Sequence, residues 1–156
     1  MKGMMIKIMF KSSVFRRIIE WIYLKLEGNL AYYDSLTGVK NRTYYDMVLR
    51  KRYCTIPCYV GYIDVDKLKM CNDTYGHNSG DELILSVVKQ IKDYNPCEIC
   101  RIGGDEFIII DNKPISLTLN KASIGVYKKA RYEDISSGVA KADDNCRRNK
   151  RIHREE

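Results

Sequence analysis

Two carboxylates stand side by side at Asp105 and Glu106, directly after Gly103-Gly104 and between two short apolar, β-prone runs, 99–102 and 107–110. The pattern predicts a β-hairpin with two acids at its tip. Glycine is expected there to supply unusual backbone angles and to let something bulky approach the main chain. Like charges roughly 4 Å apart repel by about 4 kcal/mol at an effective dielectric near 20. A divalent cation reverses that sign.

A hairpin turn with solvated acids would account for those four residues taken alone. A second stretch, YVGYIDVD at 59–66, adds to them. It reads as a strand that also ends in acids, with Asp64 and Asp66 on one side because side chains alternate with period two. A turn-rich segment, KLKMCNDTYGHNSGDE, follows it. Two apolar strands that each end in acids suggest one metal site, with carboxylates from both meeting at the sheet edge.

RIGGDEF, together with DVDKLKMCNDTYGHNSGDEL, resembles the GGDEF domain of diguanylate cyclases, enzymes that condense two GTP molecules into cyclic di-GMP. DSLTGVKNR at 34–42 resembles the motif that opens that domain, and ASIGVY at 122–127 its late strand. The resemblance runs from Asp34 to Arg154. It implies an α/β fold of the α+β, palm-like kind: a central, mostly antiparallel sheet flanked by helices, as in nucleotidyl cyclases. The implied division is a basic amphipathic helix and linker over 1–30, then a catalytic domain over 31–156.

Site residues follow from the resemblance position by position. Asp64, the Val65 carbonyl, Asp105 and Glu106 correspond to the metal-binding set, with Asp64, Asp105 and Glu106 catalytic. Asp66 belongs to the motif without being assigned as a ligand. Lys67, Leu68 and Lys69 form a loop whose backbone N–H groups, with the Lys69 ammonium, would cradle phosphates, as exposed amides and a cation suit an anion. Asn72 and Asp81 would read guanine; N-capping of a helix is the structural alternative for Asp81. Gly103 and Gly104 would leave room for the nucleotide, and Phe107 would enter the core. His77, after Gly76, is read as structural. Lys150 and Arg154 fall on the two basic positions that would hold the triphosphate, although Cys146 and Asn149-Lys150 depart from the family's usual tyrosine and Ala-Lys. Tyr94 and Cys97 stand where many relatives carry an Arg-x-x-Asp product-inhibition site, so no feedback through that site is expected.

The implied reaction joins two GTP molecules with release of pyrophosphate, using Mg²⁺ (or Mn²⁺) and a two-fold homodimer, because one protomer holds one GTP. The alternatives are a related cyclic-dinucleotide synthase of different base or linkage, and an impaired module that binds GTP or cyclic di-GMP without turnover. Intact acids favour the first reading; the altered C-terminal motif keeps the last in view.

The bulk properties agree with a phosphate-rich partner. The 156 residues carry a formal net charge of +7, with 45% hydrophobic and 30% charged residues. That length suits one domain with a substantial core. RNP-like, zinc-finger and helix-turn-helix signatures are missing, so no nucleic acid is expected as a partner. One CxxC, 97–100, has no second pair at zinc-ribbon spacing. Reduced thiols and a cytoplasmic location are the expectation, and no uncharged apolar run reaches membrane-spanning length.

Elements can be placed around these motifs. Ser12 or Ser13 would cap a basic amphipathic helix ending at Gly28, which would pack, pair with a copy of itself or lie peripherally on an anionic membrane. A helix is expected over 43–52, another over 82–92 and a last one over 134–149, with strands at 59–66 and 121–127.

Overall fold

The computed structural model describes residues 31–155, with side chains through Arg151. The helix expected over 12–28 and the Arg154 side chain lie outside that description. Residues from Asp34 onward form one compact unit.

The sheet grows around the two apolar acidic stretches. β1 (Lys40–Asn41), β2 (Cys58–Val65), β3 (Glu98–Arg101), β4 (Glu106–Asp111) and β5 (Ala122–Lys129) lie in the order β1-β3-β4-β2-β5. All pairings are antiparallel except the short β1–β3 contact. The central strands are buried on both faces, which explains their nearly continuous apolar sequence. Val60, Tyr62, Ile108 and Ile110 face one helical layer, while Ile63, Val65, Phe107 and Ile109 face the other. Phe107 is fully buried, as expected.

The first layer comprises α1, over residues 42–52, and α4 (Ile135–Glu155). In α1, α-helical turns at Arg42–Tyr44 and Arg50–Arg52 flank a π-helical stretch, Tyr45–Leu49. The second layer carries α3 (His77–Tyr94), preceded by the short α2 (Leu68–Tyr75). Ile84, Val87, Val88 and Ile91 bury the sheet-facing side of α3, whereas Leu85 on its outer side is exposed. The helix is therefore apolar on its sheet-facing side.

Two local expectations are corrected here. The loop expected at Lys67-Leu68-Lys69 is the start of α2, with Lys67 in the left-handed region at φ 57°. α3 begins at His77, five residues before Glu82, so Asp81 lies inside the helix and does not cap it. Tertiary packing overrides the turn-rich composition: Gly80 has no side chain, and Asn72 and Leu68 of α2 occupy the space where one would be. Gly76, at φ 86°, makes the break between the helices. The strands and outer helices also run slightly beyond the expected limits, to Lys129 in β5 and to Glu155 in α4.

α4 is strapped to the edge strand β5. Asn145 and Asn149 donate to the carbonyls of Val126 and Ile124 at 2.9 and 2.8 Å. The buried Cys146 thiol donates to the Ser123 carbonyl at 3.3 Å. Closeness is possible because Gly125 has no side chain: a Cβ there would lie 2.1 Å from Cys146 N and 2.2 Å from Ala142 O. Gly125→Ala is thus expected to destabilise the protein by about 3 kcal/mol or more, since backbone must shift to relieve the overlap. Gly138→Ala, whose nearest new contacts are at 3.5 Å, is expected to be neutral or stabilising by up to about 1 kcal/mol. Urea unfolding of the two variants tests the contrast.

Candidate functional site

The strand register brings the acids together. Asp64 on β2 is the direct cross-strand partner of Glu106 on β4, and Ser123 on β5 is its partner on the other side. Val65 N–H donates to the Asp105 carbonyl at 2.9 Å, which fixes the hairpin tip beside the end of β2. The two stretches recognised by their acids are therefore adjacent strands.

The carboxylates themselves take different partners. Asp64 and Asp66 share the ammonium of Lys150, reaching down from α4, at 2.6 and 3.2 Å. Ser123 O–H also donates to Asp66, lying 3.0 and 3.1 Å from its two oxygens. Glu106 turns to Tyr62, whose hydroxyl donates to it at 2.6 Å. Tyr62 stands two residues before Asp64 on the same face, the diagonal neighbour of Glu106. Among the described residues no three acids, histidines or cysteines converge as a closed metal cage. The expected set of Asp64, Val65, Asp105 and Glu106 is consequently not gathered around one point, and Asp66 is the acid that shares a cation with Asp64.

Burial pushes the Asp64 carboxyl above its ordinary range, Lys150 pulls against it, and the charges of Asp105 and Asp66 add to the rise. Lys150 is raised in turn: burial works against it, and the two aspartates outweigh burial. Two carboxylates thus share one ammonium. Oxygen donors short of positive charge fit a hard divalent ion such as Mg²⁺. That ion needs only one or two carboxylates, completing its shell with water and phosphate oxygens.

The hairpin tip is held from outside the site. Arg101 donates through Nε and Nη2 to the Gly104 carbonyl, at 3.2 and 2.6 Å, and through Nη1 to Asp34 at 2.9 Å. Asp34 also accepts from Thr37 N–H and O–H, at 2.9 and 2.6 Å. Lys92, near the end of α3, donates to the Thr37 carbonyl at 3.0 Å. The DSLTG turn thereby supports the tip. Neither Gly103 nor Gly104 has positive φ, so unusual backbone angles are not their contribution. Space is: a Cβ on Gly103 would lie 2.3 Å from Glu106 Oε2, and the position above Gly104 is open.

At the start of α2 the first N–H groups have no partner within the helix, as at any helix N-terminus. Lys67 and Lys69 flank them, both exposed. Asn72 is half-buried against Gly80, next in sequence to the exposed Asp81. A cleft of about 840 Å³ opens beside Asp66 and Lys67, lined by Met70, Cys71, Thr74 and Leu83 among others. Asn72 and Asp81 do not line it. His77 is exposed at the start of α3. Sequence reading missed Tyr62 and Ser123 as partners of the acids; period-two spacing from Asp64 would have flagged Tyr62.

Residues 31–120, more than half of the chain, match the family model described as "Diguanylate cyclase, GGDEF domain". The chain belongs to that family. It is 41% identical over 88 residues to the probable diguanylate cyclase DgcI of Escherichia coli (strain K12), covering 53% of this chain and 19% of that protein. Signaling protein YkoW of Bacillus subtilis (strain 168) is 38% identical over 91 residues, 52% of this chain and 11% of that one. The chain thus spans a minor part of these relatives' length. Among solved structures, the coiled coil and GGDEF domain of DgcB from Caulobacter crescentus in complex with c-di-GMP superposes with a TM-score of 0.77. That match has 22% identity and covers 96% of this chain and 95% of that one. The GGDEF domain of DgcB alone, also in complex with c-di-GMP, gives 0.69 at 25% identity over 78% and 91%. The fold is the GGDEF fold, and among the described residues no helix is long and apolar enough to cross a membrane.

Asp34 supplies a pH-sensitive check on the hairpin support. Burial tends to raise its carboxyl, but hydrogen bonds from Thr37 and the Arg101 guanidinium hold it below the ordinary value. A depressed carboxyl stabilises the folded state above the unfolded value, about 3.9, and that contribution fades as pH falls through the lower folded one. Asp34→Asn is expected to cost about 1–2 kcal/mol at neutral pH. The gap from wild type should close as unfolding is measured below about pH 3.9.

Proposed function

We propose that this chain is a diguanylate cyclase domain that condenses two GTP molecules into cyclic di-GMP, with release of two pyrophosphates. The observation that carries the reading is the pairing of Asp64 with Glu106 across β2 and β4. Asp105 stands at the adjoining tip, and Asp64 and Asp66 share the single ammonium of Lys150. Enzymatic carboxylate clusters of this kind serve phosphoryl transfer when a nucleotide triphosphate and its ion come to rest on them.

In this reading Asp64 and Asp66, with the Val65 carbonyl, would hold Mg²⁺ or Mn²⁺, and Asp105 at the hairpin tip would add negative charge beside them. The ion supplies charge neutralisation of the triphosphate and acidifies the attacking hydroxyl. Glu106, held by Tyr62, faces the same space and can accept a hydrogen bond from the ribose or take up its proton. N–H groups at the start of α2, with Lys69, receive phosphate oxygens. Asp81 and Asn72 would read the guanine edge, Asp81 accepting from N1–H and the exocyclic amine. A site built around such groups rejects a base lacking those donors by roughly 10⁴-fold. Lys150, and Arg154 by its place in the sequence, would hold the triphosphate.

Each 3′-hydroxyl attacks the α-phosphate of the other nucleotide, forming two phosphodiester bonds and expelling two pyrophosphates. A protomer contributes one nucleotide, so two protomers must face each other about a two-fold axis. Holding the two substrates in that orientation contributes much of the acceleration.

Purified protein incubated with GTP and Mg²⁺ is expected to yield cyclic di-GMP by mass spectrometry, with pyrophosphate in a two-to-one ratio. EDTA should stop it, and Asp105→Asn should lower turnover on the order of 10²-fold or more while GTP binding persists. A product assembled from ATP would overturn the base assignment. GTP binding with no turnover at any concentration would identify a binding module.

A further inference from the structure

We propose that Lys150 is a resident counter-cation that exchanges partners: it neutralises Asp64 and Asp66 in the ion-free protein and leaves them for the triphosphate when a divalent ion arrives. The inference rests on the active-site reading above and adds a binding order to it. A lysine assigned only to phosphate has no need to touch these aspartates. Here its ammonium lies 2.6 Å from Asp64 and 3.2 Å from Asp66, the ion pairs that these two acids make among the described residues.

The surroundings suit an exchange rather than a permanent ion pair. The α4 backbone beneath Lys150 is anchored to β5 by Asn145, Cys146 and Asn149. Only the flexible lysine stem must therefore move. A lysine ammonium is a compact point charge on a four-carbon stem, with no fixed fork to hold it to carboxylates. Asp66 keeps the Ser123 hydroxyl when the ammonium withdraws. Asp64 has no hydroxyl donor of that kind among the described residues, which leaves it the acid most in need of a replacement cation.

The ammonium and a divalent ion cannot occupy the same carboxylate oxygens. An ion arriving alone must displace Lys150 into water. An ion arriving with a triphosphate gives the displaced ammonium a new anionic partner. Ion and nucleotide should consequently bind interdependently, each strengthening the other by the same factor. The device also protects the ion-free fold from repulsion between two half-buried aspartates.

Mn²⁺ binding without nucleotide, followed by electron paramagnetic resonance or calorimetry, tests this directly. Lys150→Met should bind Mn²⁺ alone roughly tenfold or more tightly than wild type, because the competing charge is gone. Lys150→Arg, which keeps the charge, should stay within a few-fold of wild type. Mn²⁺ should also raise the melting temperature of Lys150→Met more than that of wild type, which separates ion exchange from a misfolded variant. Unchanged or weaker Mn²⁺ binding by Lys150→Met would overturn the exchange. A separate arm measures Mn²⁺ binding by wild type in the presence of GTP. Binding there, with nucleotide-free Mn²⁺ binding unchanged by Lys150→Met, sinks the exchange alone; no binding there, or binding unaffected by Asp64→Asn, sinks the active-site reading itself.

Discussion

Carboxylates crowd the ends of β2 and β4, and the ammonium of Lys150 is set against that crowding. Asp64 and Asp66 point to one face, Glu106 lies directly across from Asp64, and Asp105 acts on Asp64 through its charge. In half-buried surroundings such repulsion is not screened as it is in water. Everything that places Lys150 therefore bears on the acids. The bare backbone of Gly125 lets α4 settle on β5, and two asparagines pin it there. Asn149, a departure from the family's alanine, is one of those pins.

The hairpin tip is preorganised by a different set of contacts. Arg101 grips the Gly104 carbonyl and ties it to Asp34, which is itself locked by Thr37. Glu106 is then free to fold over Gly103 and take the Tyr62 hydroxyl. Burial, together with the bond to Glu106, keeps the Tyr62 phenol well above its ordinary range, so it remains a donor. Contacts of this kind fix the charged groups in place in advance. These contacts also tie the opening DSLTG turn, far from the tip in sequence, to the hairpin.

Much of the architecture was legible because it depends on local pattern. The apolar runs before Asp64 and after Glu106 are strands since both sheet faces are covered, and Cys58–Val65 and Glu106–Asp111 fall close to the expected limits. α2 was not legible. It has no buried residue of its own, and its sequence is that of a loop until α3 offers Gly80 as a seat. The left-handed Lys67 and the early start of α3 follow from that packing, and they turn the expected phosphate loop into a helix N-terminus.

By itself the sequence marked the candidate residues: acids at two strand ends, and glycines beside one of those pairs. Those are matters of residue type and short-range spacing, and alternation along a strand already puts Asp64 and Asp66 on one side. The tertiary structure alone decided how the charges pair. Lys150 lies 86 residues beyond Asp64 in the chain, and no periodicity relates them; strand register and the seating of α4 on Gly125 bring them within hydrogen-bond distance. Likewise Glu106 goes to Tyr62 rather than to Asp64 because cross-strand geometry puts a hydroxyl within its reach.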